Sequence, residues 1–181
     1  MKKLALALAV AGVLALTPAA PALASLETPE AKAEAADAAV MARLHMEEVF
    51  GDKELKPGQY LWRKGSFSGD PRVVISLSDQ LAYLYRGDQL VAVSTVSSGK
   101  DEKPTPTGIF SVLAKEQMHR SLKYENAPMP FMQRFDEYGT ALHAGHNPGY
   151  PASHGCIRLP SDFARKLYSV TDLGATILIG A

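Results

Sequence analysis

The amino-acid sequence predicts a mostly β protein with one or two short helices, preceded by an N-terminal helical arm. Residues 25–51 are rich in alanine and charged side chains, and their apolar residues have helical spacing. From residue 72 the apolar period changes to two, with β-branched and aromatic residues between short polar turns, which favours antiparallel strands. The sequence lacks the long alternation of strands and helices that a doubly wound sheet requires.

Residues 1–24 predict a secretory signal peptide. Lys2 and Lys3 form a positive start, residues 4–16 are apolar, and Ala22-Leu23-Ala24 is a small-x-small cleavage site. The apolar run has thirteen residues, fewer than the roughly 20 that a membrane-spanning helix needs. We therefore expect secretion across the inner membrane into the periplasm or cell envelope, without a stable membrane anchor.

The chain after residue 24 has the size of one domain and little net charge. It contains 157 residues, with 17 basic and 19 acidic side chains. That length is sufficient for a proper core. The near-neutral balance gives no electrostatic reason to expect a nucleic-acid partner.

The arm is predicted to be a helix with Thr28 as its N-cap, Pro29 at its first position and Gly51 at its end. Loop signals follow in residues 52–71, where Trp62 is expected to anchor the edge of the core. We interpret this helix as a spacer or an arm packed loosely on the domain, with a partner-binding helix as the alternative, and residues 25–71 together as an N-terminal spacer of helix and loop. A weak apolar stripe at helical spacing comprises Ala33, Ala36, Val40 and Leu44.

The β-rich domain is expected to span residues 72–181 and to begin with an antiparallel meander. Its three predicted strands occupy residues 73–77, 81–85 and 90–96. The remaining predicted elements are strands at 108–114, 138–144 and 175–179, an irregular segment at 115–137, and a helix at 161–168 with Ser161 as N-cap.

The only cysteine, Cys156, predicts a nucleophilic site. An exported protein with one cysteine cannot form an internal disulfide, and His143, His146 and His154 lie within the fourteen residues that end at Cys156. A thiol reacts as the thiolate, and a neighbouring imidazole can take its proton. Gly155 permits a sharp turn whose amides can form an oxyanion hole. This pattern predicts acyl transfer with Cys156 as nucleophile and His143 as base, whereas the alternative is a buried, inert cysteine.

The other histidines have simpler interpretations. His146 is expected on an exposed loop, His154 is expected to have a structural side chain, and His119 and His45 are expected at the surface. A zinc site built from the clustered histidines and Cys156 is the rival class. Its H-x-x-H spacing is loose and no acidic residue lies within the cluster. We therefore expect neither a metal nor another cofactor.

Several segments resemble the L,D-transpeptidase catalytic domain, whose members are cysteine enzymes of bacterial peptidoglycan cross-linking. The signature-like segment is Ser153-His154-Gly155-Cys156-Ile157-Arg158-Leu159. Residues 74–80 with 83–85 resemble the family's opening hairpin, and residues 94–100 with 105–110 resemble its central strand, loop and next strand. Residues 127–131 resemble the segment that lines the acyl-donor pocket, so the resemblance covers about residues 72–180.

The resemblance implies a β-sandwich-like fold with the site at one end of the sheets, so that residues 72–181 form the catalytic domain. By position, Cys156 matches the family's nucleophile and His143 its general base. The carbonyl of Ala144 would orient the imidazole, and the backbone amides of His154 and Gly155, with that of Cys156, would form the oxyanion hole.

The resemblance also implies substrate-binding residues. Arg158 would hold the turn or meet a substrate carboxylate, Met129 and Phe131 would line the donor pocket, and Tyr150 would wall the cleft or pack within its loop. Two departures stand out: the loop from His143 to Cys156 is shorter than in many members, and Ala144 replaces a glycine or serine.

The function implied is an exported L,D-transpeptidase that acts on peptidoglycan stem peptides through a Cys156 thioester and is open to acylation by carbapenems. The acyl acceptor would be a second stem, giving a 3→3 cross-link, an outer-membrane protein, or a D-amino acid. An L,D-carboxypeptidase that uses the same site is the nearest alternative. A zinc-binding or peptidoglycan-binding module is the more distant one.

Overall fold

The computed structural model describes residues 25–181, so the predicted signal peptide lies outside the described residues. The described chain forms eleven strands and two helices. The elements are β1 (Ser25–Leu26), α1 (Pro29–Phe50), β2 (Tyr60–Trp62), β3 (Pro71–Ser76), β4 (Leu81–Arg86), β5 (Gln89–Thr95), β6 (Gly108–Ser111), β7 (Ala114–Arg120), β8 (Pro128–Arg134), β9 (Ala141–Ala144), β10 (Ile157–Leu159), α2 (Ser161–Val170) and β11 (Thr176–Gly180).

The strands form two sheets. The seven-stranded sheet has the order β1-β6-β11-β3-β4-β5-β2, and the four-stranded sheet has the order β10-β9-β8-β7. The predicted meander β3-β4-β5 is confirmed as antiparallel, whereas β11 runs parallel to β3 and β10 runs parallel to β9. The main core contains apolar residues of both sheets and of α2. The predicted mostly β, sandwich-like fold is therefore confirmed.

Both faces of the large sheet are covered by other parts of the protein. Strand β3 illustrates this, because its apolar residues are continuous and both of its faces are buried. Val73 and Ile75 belong to the core shared with the small sheet and α2. Val74, on the opposite face, packs in the cluster under α1. Successive side chains of a strand point to opposite faces, so a run of three apolar residues requires a cover on each side.

The bounds of α1 follow the predicted caps, but its buried face is not the predicted stripe. The Thr28 hydroxyl accepts a hydrogen bond from Ala31 N at 3.3 Å, and Gly51 ends the helix with φ +78°. Val40 and Leu44 of the stripe are 64% and 52% exposed. The residues buried instead are Ala31, Ala35, Ala39, Ala42 and Met46.

The arm is packed closely on the sheet rather than loosely, because small residues meet at the contact. A Cβ on Gly180 of β11 would lie 2.6 Å from the Ala35 carbonyl oxygen and 2.9 Å from Ala36 Cα. Alanine contributes weakly to an apolar pattern dominated by Val and Leu, so the periodicity favoured the wrong face. Within the described residues, neither helix is long and apolar enough to cross a membrane.

Residues 25–71 also supply both edges of the large sheet. Strand β1 pairs with β6, and β2 pairs with β5. Trp62 packs against the main core with its ring 5.8 Å from that of Phe163, which confirms it as an anchor at the edge of the core. The division into a spacer and a catalytic domain at residue 72 stays a prediction.

The segment predicted to be irregular, residues 115–137, forms the β7–β8 hairpin instead. Most side chains of β7 are exposed or half-buried, so the strand carries no alternating apolar signal. The predicted strand at 108–114 ends at Ser111, and Ala114 already belongs to β7. Helix α2 begins at Ser161 with Pro160 as its N-cap, so the prediction that Ser161 is the N-cap was wrong.

Candidate active site

A cleft of about 1140 Å³ opens beside the small sheet, between the β7–β8 hairpin and the segment that joins β9 to β10. Its lining includes Met129, His143, His154, Gly155, Cys156 and Arg158. The parallel pairing of β9 with β10 places Arg158 opposite His143 in register. A smaller cavity of about 470 Å³ beside α1 contains neither Cys156 nor His143.

His143 is a buried imidazole with a determined tautomer. It is 7% exposed, and its Nδ1 lies 2.8 Å from the Ala144 carbonyl oxygen. A carbonyl only accepts, so Nδ1 carries the proton and Nε2 is left as an acceptor. Burial lowers the pKa of His143, the bond to Ala144 opposes that shift, and the positive charge of Arg158 adds to it. The imidazole is therefore neutral at neutral pH and able to take a proton.

Cys156 is a half-buried thiol in the same cleft. It packs beside Met129, Met132 and Ala141. Burial raises the pKa of the Cys156 thiol above its ordinary value, while the charges of Arg158 and Lys123 lower it by less. A neutral thiol and a neutral imidazole thus share the cleft, an arrangement that suits general-base activation rather than a preformed ion pair.

The turn before Cys156 is held by side chains that bind its backbone. Gly155 has φ +112°, a conformation that glycine adopts without strain. Its N–H donates to Ser153 Oγ at 3.1 Å, and the Ser153 hydroxyl in turn donates to the Cys156 carbonyl. Thr105 Oγ1 donates to the Gly155 carbonyl at 2.8 Å. The Gly155 amide, expected to be an oxyanion donor, is therefore already engaged in a hydrogen bond within the turn.

The segment after β5 supports this turn from behind. The Ser98 carbonyl accepts from Ala152 N and Ser153 N at 3.0 and 2.9 Å. Gln80 holds Ser98 with both ends of its amide: Oε1 accepts from Ser98 N at 2.9 Å, and Nε2 donates to Ser98 Oγ at 2.7 Å. A Cβ on Gly99 would lie 2.2 Å from the Lys103 carbonyl oxygen and 2.9 Å from Gly155 Cα, so the two segments meet where only glycine fits.

Sequence reasoning assigned no role to Ser153, Thr105, Ser98 or Gln80. A signal was present, because each of them lies in a segment that carries the family resemblance. These residues act through hydrogen bonds between positions far apart in the chain, such as Thr105 and Gly155. A local pattern of residue types contains no information on such a pairing.

The structure places two of the four predicted substrate-binding residues in the cleft. Arg158 lines it, and a Cβ on Gly145 would lie 3.1 Å from Arg158 Cγ, so the side chain lies across that glycine. Met129 lines it as well, at 7% exposure. Phe131 and Tyr150 are not among the lining residues.

Phe131 and Tyr150 lie outside the cleft, each in its own environment. Phe131 has φ +56°, which interrupts the alternation of β8 that would place it on the same face as Met129. Its ring lies 6.0 Å from that of Tyr168 on α2, and it packs against the main core. The Tyr150 side chain is 62% exposed, and its carbonyl accepts from Ser97 Oγ at 2.8 Å. The Tyr150 side chain therefore does not line the cleft, and its packing within the loop stays a prediction.

Three further histidines line the cleft: His119, His146 and His154. His154 stacks on Tyr124 with ring centroids 4.5 Å apart, which supports a structural side chain. His119 was expected at the surface but lines the cleft, with Nδ1 2.8 Å from Glu116 Oε2. In residues 25–181 no group of three or more His, Cys, Asp or Glu side chains has a geometry suited to a metal ion.

His45 was also expected at the surface, and that prediction was wrong. Its Nδ1 lies 3.0 Å from the hydroxyl of Tyr85, and the two rings meet edge to face. This contact joins α1 to β4, so His45 contributes to docking the helix on the sheet.

The comparisons with known proteins identify the family of the domain that contains this cleft. The model of the YkuD family, described as the L,D-transpeptidase catalytic domain, matches residues 70–179. None of the curated protein sequences is similar enough to count as a match.

Solved structures of L,D-transpeptidases share the fold. The one from Mycobacterium smegmatis is 23% identical with a TM-score of 0.57, and the match covers 62% of this chain and 59% of that one. The one from Stackebrandtia nassauensis is 22% identical with a TM-score of 0.58, covering 76% and 65%. The one from Xylanimonas cellulosilytica is 27% identical with a TM-score of 0.56, covering 65% and 63%. The chain thus spans less than two thirds of the length of each of these three structures.

The family match covers more than half of the chain and includes β3 to β10, the cleft and every residue of the Cys156 turn. The chain therefore belongs to the family of the L,D-transpeptidase catalytic domain.

Proposed function

We propose that this protein is an exported L,D-transpeptidase that acts on peptidoglycan stem peptides with Cys156 as nucleophile and His143 as general base. The donor is a tetrapeptide stem that ends in a diamino acid followed by D-alanine. The observation that carries the proposal is that a neutral imidazole and a thiol line the same cleft. A neutral imidazole has its proton held on Nδ1 by Ala144, and the only thiol of the chain lines the same cleft.

The first half-reaction forms a thioester. His143 Nε2 takes the proton of the Cys156 thiol, and Sγ attacks the carbonyl carbon of the bond that precedes D-alanine. The S–C bond forms and the C–N bond breaks, while His143 returns the proton to the departing amine. The amides of His154 and Cys156 are the donors for the oxyanion, because the Gly155 amide is held by Ser153.

The second half-reaction transfers the acyl group to an amine. The amine of a second stem gives a 3→3 cross-link, and an outer-membrane protein or a D-amino acid is another possible acceptor. His143 takes a proton from the attacking amine, and the thiolate leaves and is reprotonated. The same thioester attacked by water would give an L,D-carboxypeptidase, which differs only in the acceptor.

The experiment uses the chain after residue 24 with a purified disaccharide-tetrapeptide. Intact-protein mass spectrometry is expected to detect an acyl-enzyme, and peptide mapping to place it on Cys156. The product masses identify the acceptor: a dimer minus D-alanine for cross-linking, a tripeptide for hydrolysis. Cys156→Ala is the control, and a wild-type enzyme that releases no D-alanine and forms no adduct would contradict the proposal.

A β-lactam provides a second probe of the same step. One solved L,D-transpeptidase, 22% identical with a TM-score of 0.56, was determined in complex with imipenem. We expect imipenem to add its mass to Cys156 here, since its strained carbonyl presents the same electrophile to the thiolate.

Export has a separate test. Residues 1–24 have the composition of a signal peptide with its cleavage site after Ala24. Expression of the full chain in a Gram-negative host is expected to give a periplasmic protein whose N-terminal residue is Ser25. Retention of Met1 or Lys2 at the N-terminus would contradict export by this route.

A further inference from the structure

The cleft has a strong excess of positive charge although the chain as a whole has none. The sequence contains 19 basic and 19 acidic residues. Four permanent cations line the cleft, Lys103, Lys123, Arg134 and Arg158, and within residues 25–181 no aspartate or glutamate lines it. The net charge of the whole chain is therefore zero, although the permanently charged residues that line the cleft are positive.

Within residues 25–181 no carboxylate forms a salt bridge with any of these four cations. Lys123 Nζ donates to the Tyr138 carbonyl at 2.6 Å, and Lys103 Nζ donates to the Tyr124 hydroxyl at 3.3 Å. Carbonyl and hydroxyl oxygens hold an ammonium group in place but leave its charge uncompensated. Arg134 likewise donates to a backbone carbonyl, that of Asp136, at 2.8 Å. In the described part of the chain, none of the four salt bridges involves Lys103, Lys123, Arg134 or Arg158.

The neighbouring carboxylates lie outside the cleft lining, although the negative charge of Asp136 still acts on Cys156. Asp136 is 5% exposed, and its Oδ1 accepts from Thr140 N at 2.7 Å. Glu116 pairs with His119, and Glu102 pairs with Lys100. Among residues 25–181 the four cations therefore lack a salt-bridge partner, and the charge of Asp136 offsets part of their field at Cys156.

The cations come from different parts of the fold. Lys103 follows the segment that supports the Cys156 turn, Lys123 lies in the β7–β8 connection, Arg134 ends β8, and Arg158 lies in β10. They therefore come from separate parts of the fold and share one cleft with Cys156.

We propose that the cleft selects donor peptides whose own side-chain and α-carboxylates are free, and that the same peptides with these carboxylates converted to carboxamides are poor donors. This inference rests on the proposed function. A carboxylate gains an attractive interaction with the uncompensated cations, whereas a carboxamide of nearly the same shape carries no charge. Because the cleft is open to solvent, salt screens part of that attraction.

The test compares two synthetic tetrapeptides that differ only in their internal carboxyl groups. One has free carboxylates and the other has carboxamides at the same positions, with the terminal D-alanine unchanged. Rates of D-alanine release and of Cys156 adduct formation are measured at low and high NaCl. We expect the acid peptide to react roughly tenfold or more faster at low salt, and that ratio to shrink as salt increases.

Lysine variants show whether the preference comes from the cleft. In the Lys103→Met/Lys123→Met double variant the acid-to-amide rate ratio is expected to fall, and Lys123→Arg, which retains the charge, is expected to preserve it. Lys64→Met is the matched control, since Lys64 is exposed and outside the cleft lining. A thermal melt of each variant verifies folding, and imipenem acylation verifies the Cys156 site.

The outcomes separate the two proposals. Equal rates for the two peptides, or a faster amide, would overturn the selectivity while the transpeptidase function stands. An unchanged ratio in the folded double variant would overturn the assignment to the cleft cations. Failure of both peptides and of imipenem to acylate Cys156 would overturn the proposed function itself.

Discussion

The two sheets of this protein hold their shape in different ways. The large sheet is covered on both faces by apolar residues, in the main core on one side and under α1 on the other. The turn that carries Cys156, beside the small sheet, is held by hydrogen bonds from Ser153, Thr105 and the Ser98 segment to its backbone. Apolar burial is non-directional and shared among many contacts, whereas a hydrogen bond depends on one geometry. Changes in the large sheet should therefore lower stability, and changes at the turn should lower activity.

The largest expected effect is that of Cys156→Ala and Cys156→Ser. D-alanine release from a tetrapeptide is expected to fall below detection, because Cys156 is the only thiol. The melting temperature is expected to change little, since the thiol is only half-buried. Product analysis and a thermal melt measure the two effects, and near wild-type turnover by either variant would refute the nucleophile assignment.

The next largest effect on activity is expected for His143→Ala. Loss of a general base costs about 10²–10⁴-fold in rate, so kcat/KM should fall by that factor. His146→Ala is the matched control, because His146 lines the same cleft without the bond to Ala144 that His143 makes. A larger loss for His146→Ala would transfer the role of base to His146.

The corresponding test in the large sheet compares Ile75→Ala with Val40→Ala. Ile75 is fully buried, and its truncation is expected to lower the free energy of unfolding by about 2–5 kcal/mol. Val40 is 64% exposed, and its truncation is expected to cost no more than about 0.5 kcal/mol. Urea unfolding measures both values. A large loss for Val40→Ala would mean that α1 buries the stripe predicted from the sequence.

Gln80 lies between two strands of the large sheet, but its side chain bonds the segment that supports the Cys156 turn. Gln80→Ala therefore tests whether a change in the large sheet can lower activity. Gln80 lies in the β3–β4 turn and holds Ser98, whose carbonyl supports the Cys156 turn. We expect kcat to fall about tenfold if the turn shifts by a small distance, with KM little changed. Gln80→Glu, which can still accept from Ser98 N, is expected to recover part of the activity. A loss of stability with unchanged kcat would make Gln80 a structural residue only.

The smallest expected effect is a shift in pH dependence. Because burial lowers the pKa of His143, the acidic limb of kcat/KM should lie below the ordinary value of 6.5. The rate should fall as the pH falls through that pKa, because a protonated imidazole cannot accept the thiol proton. Arg158→Met removes a charge that lowers the pKa of His143, so the limb should move to higher pH. A limb that moves to lower pH would contradict this electrostatic role of Arg158.

The sequence by itself determined the features that depend on neighbouring residues. The β-branched and aromatic runs of residues 73–96, separated by short polar turns, are sufficient to predict the meander. Thr28, Pro29 and Gly51 mark the ends of α1. The Cys156 segment identifies the family, which the match over residues 70–179 confirms. Each of these patterns is complete within a short stretch of chain.

Only the tertiary structure decided which surfaces meet. The alanine face of α1 is buried because Gly180, more than a hundred residues away, lets the helix approach the sheet. Thr105 holds the Gly155 carbonyl from fifty residues earlier in the chain, and Phe131 packs against Tyr168 of α2 instead of lining the cleft. The cations of the cleft come from separate loops and strands, and folding brings them to the same cleft. Sequence patterns report local periodicity, whereas these features depend on contacts between distant residues, which local periodicity does not encode.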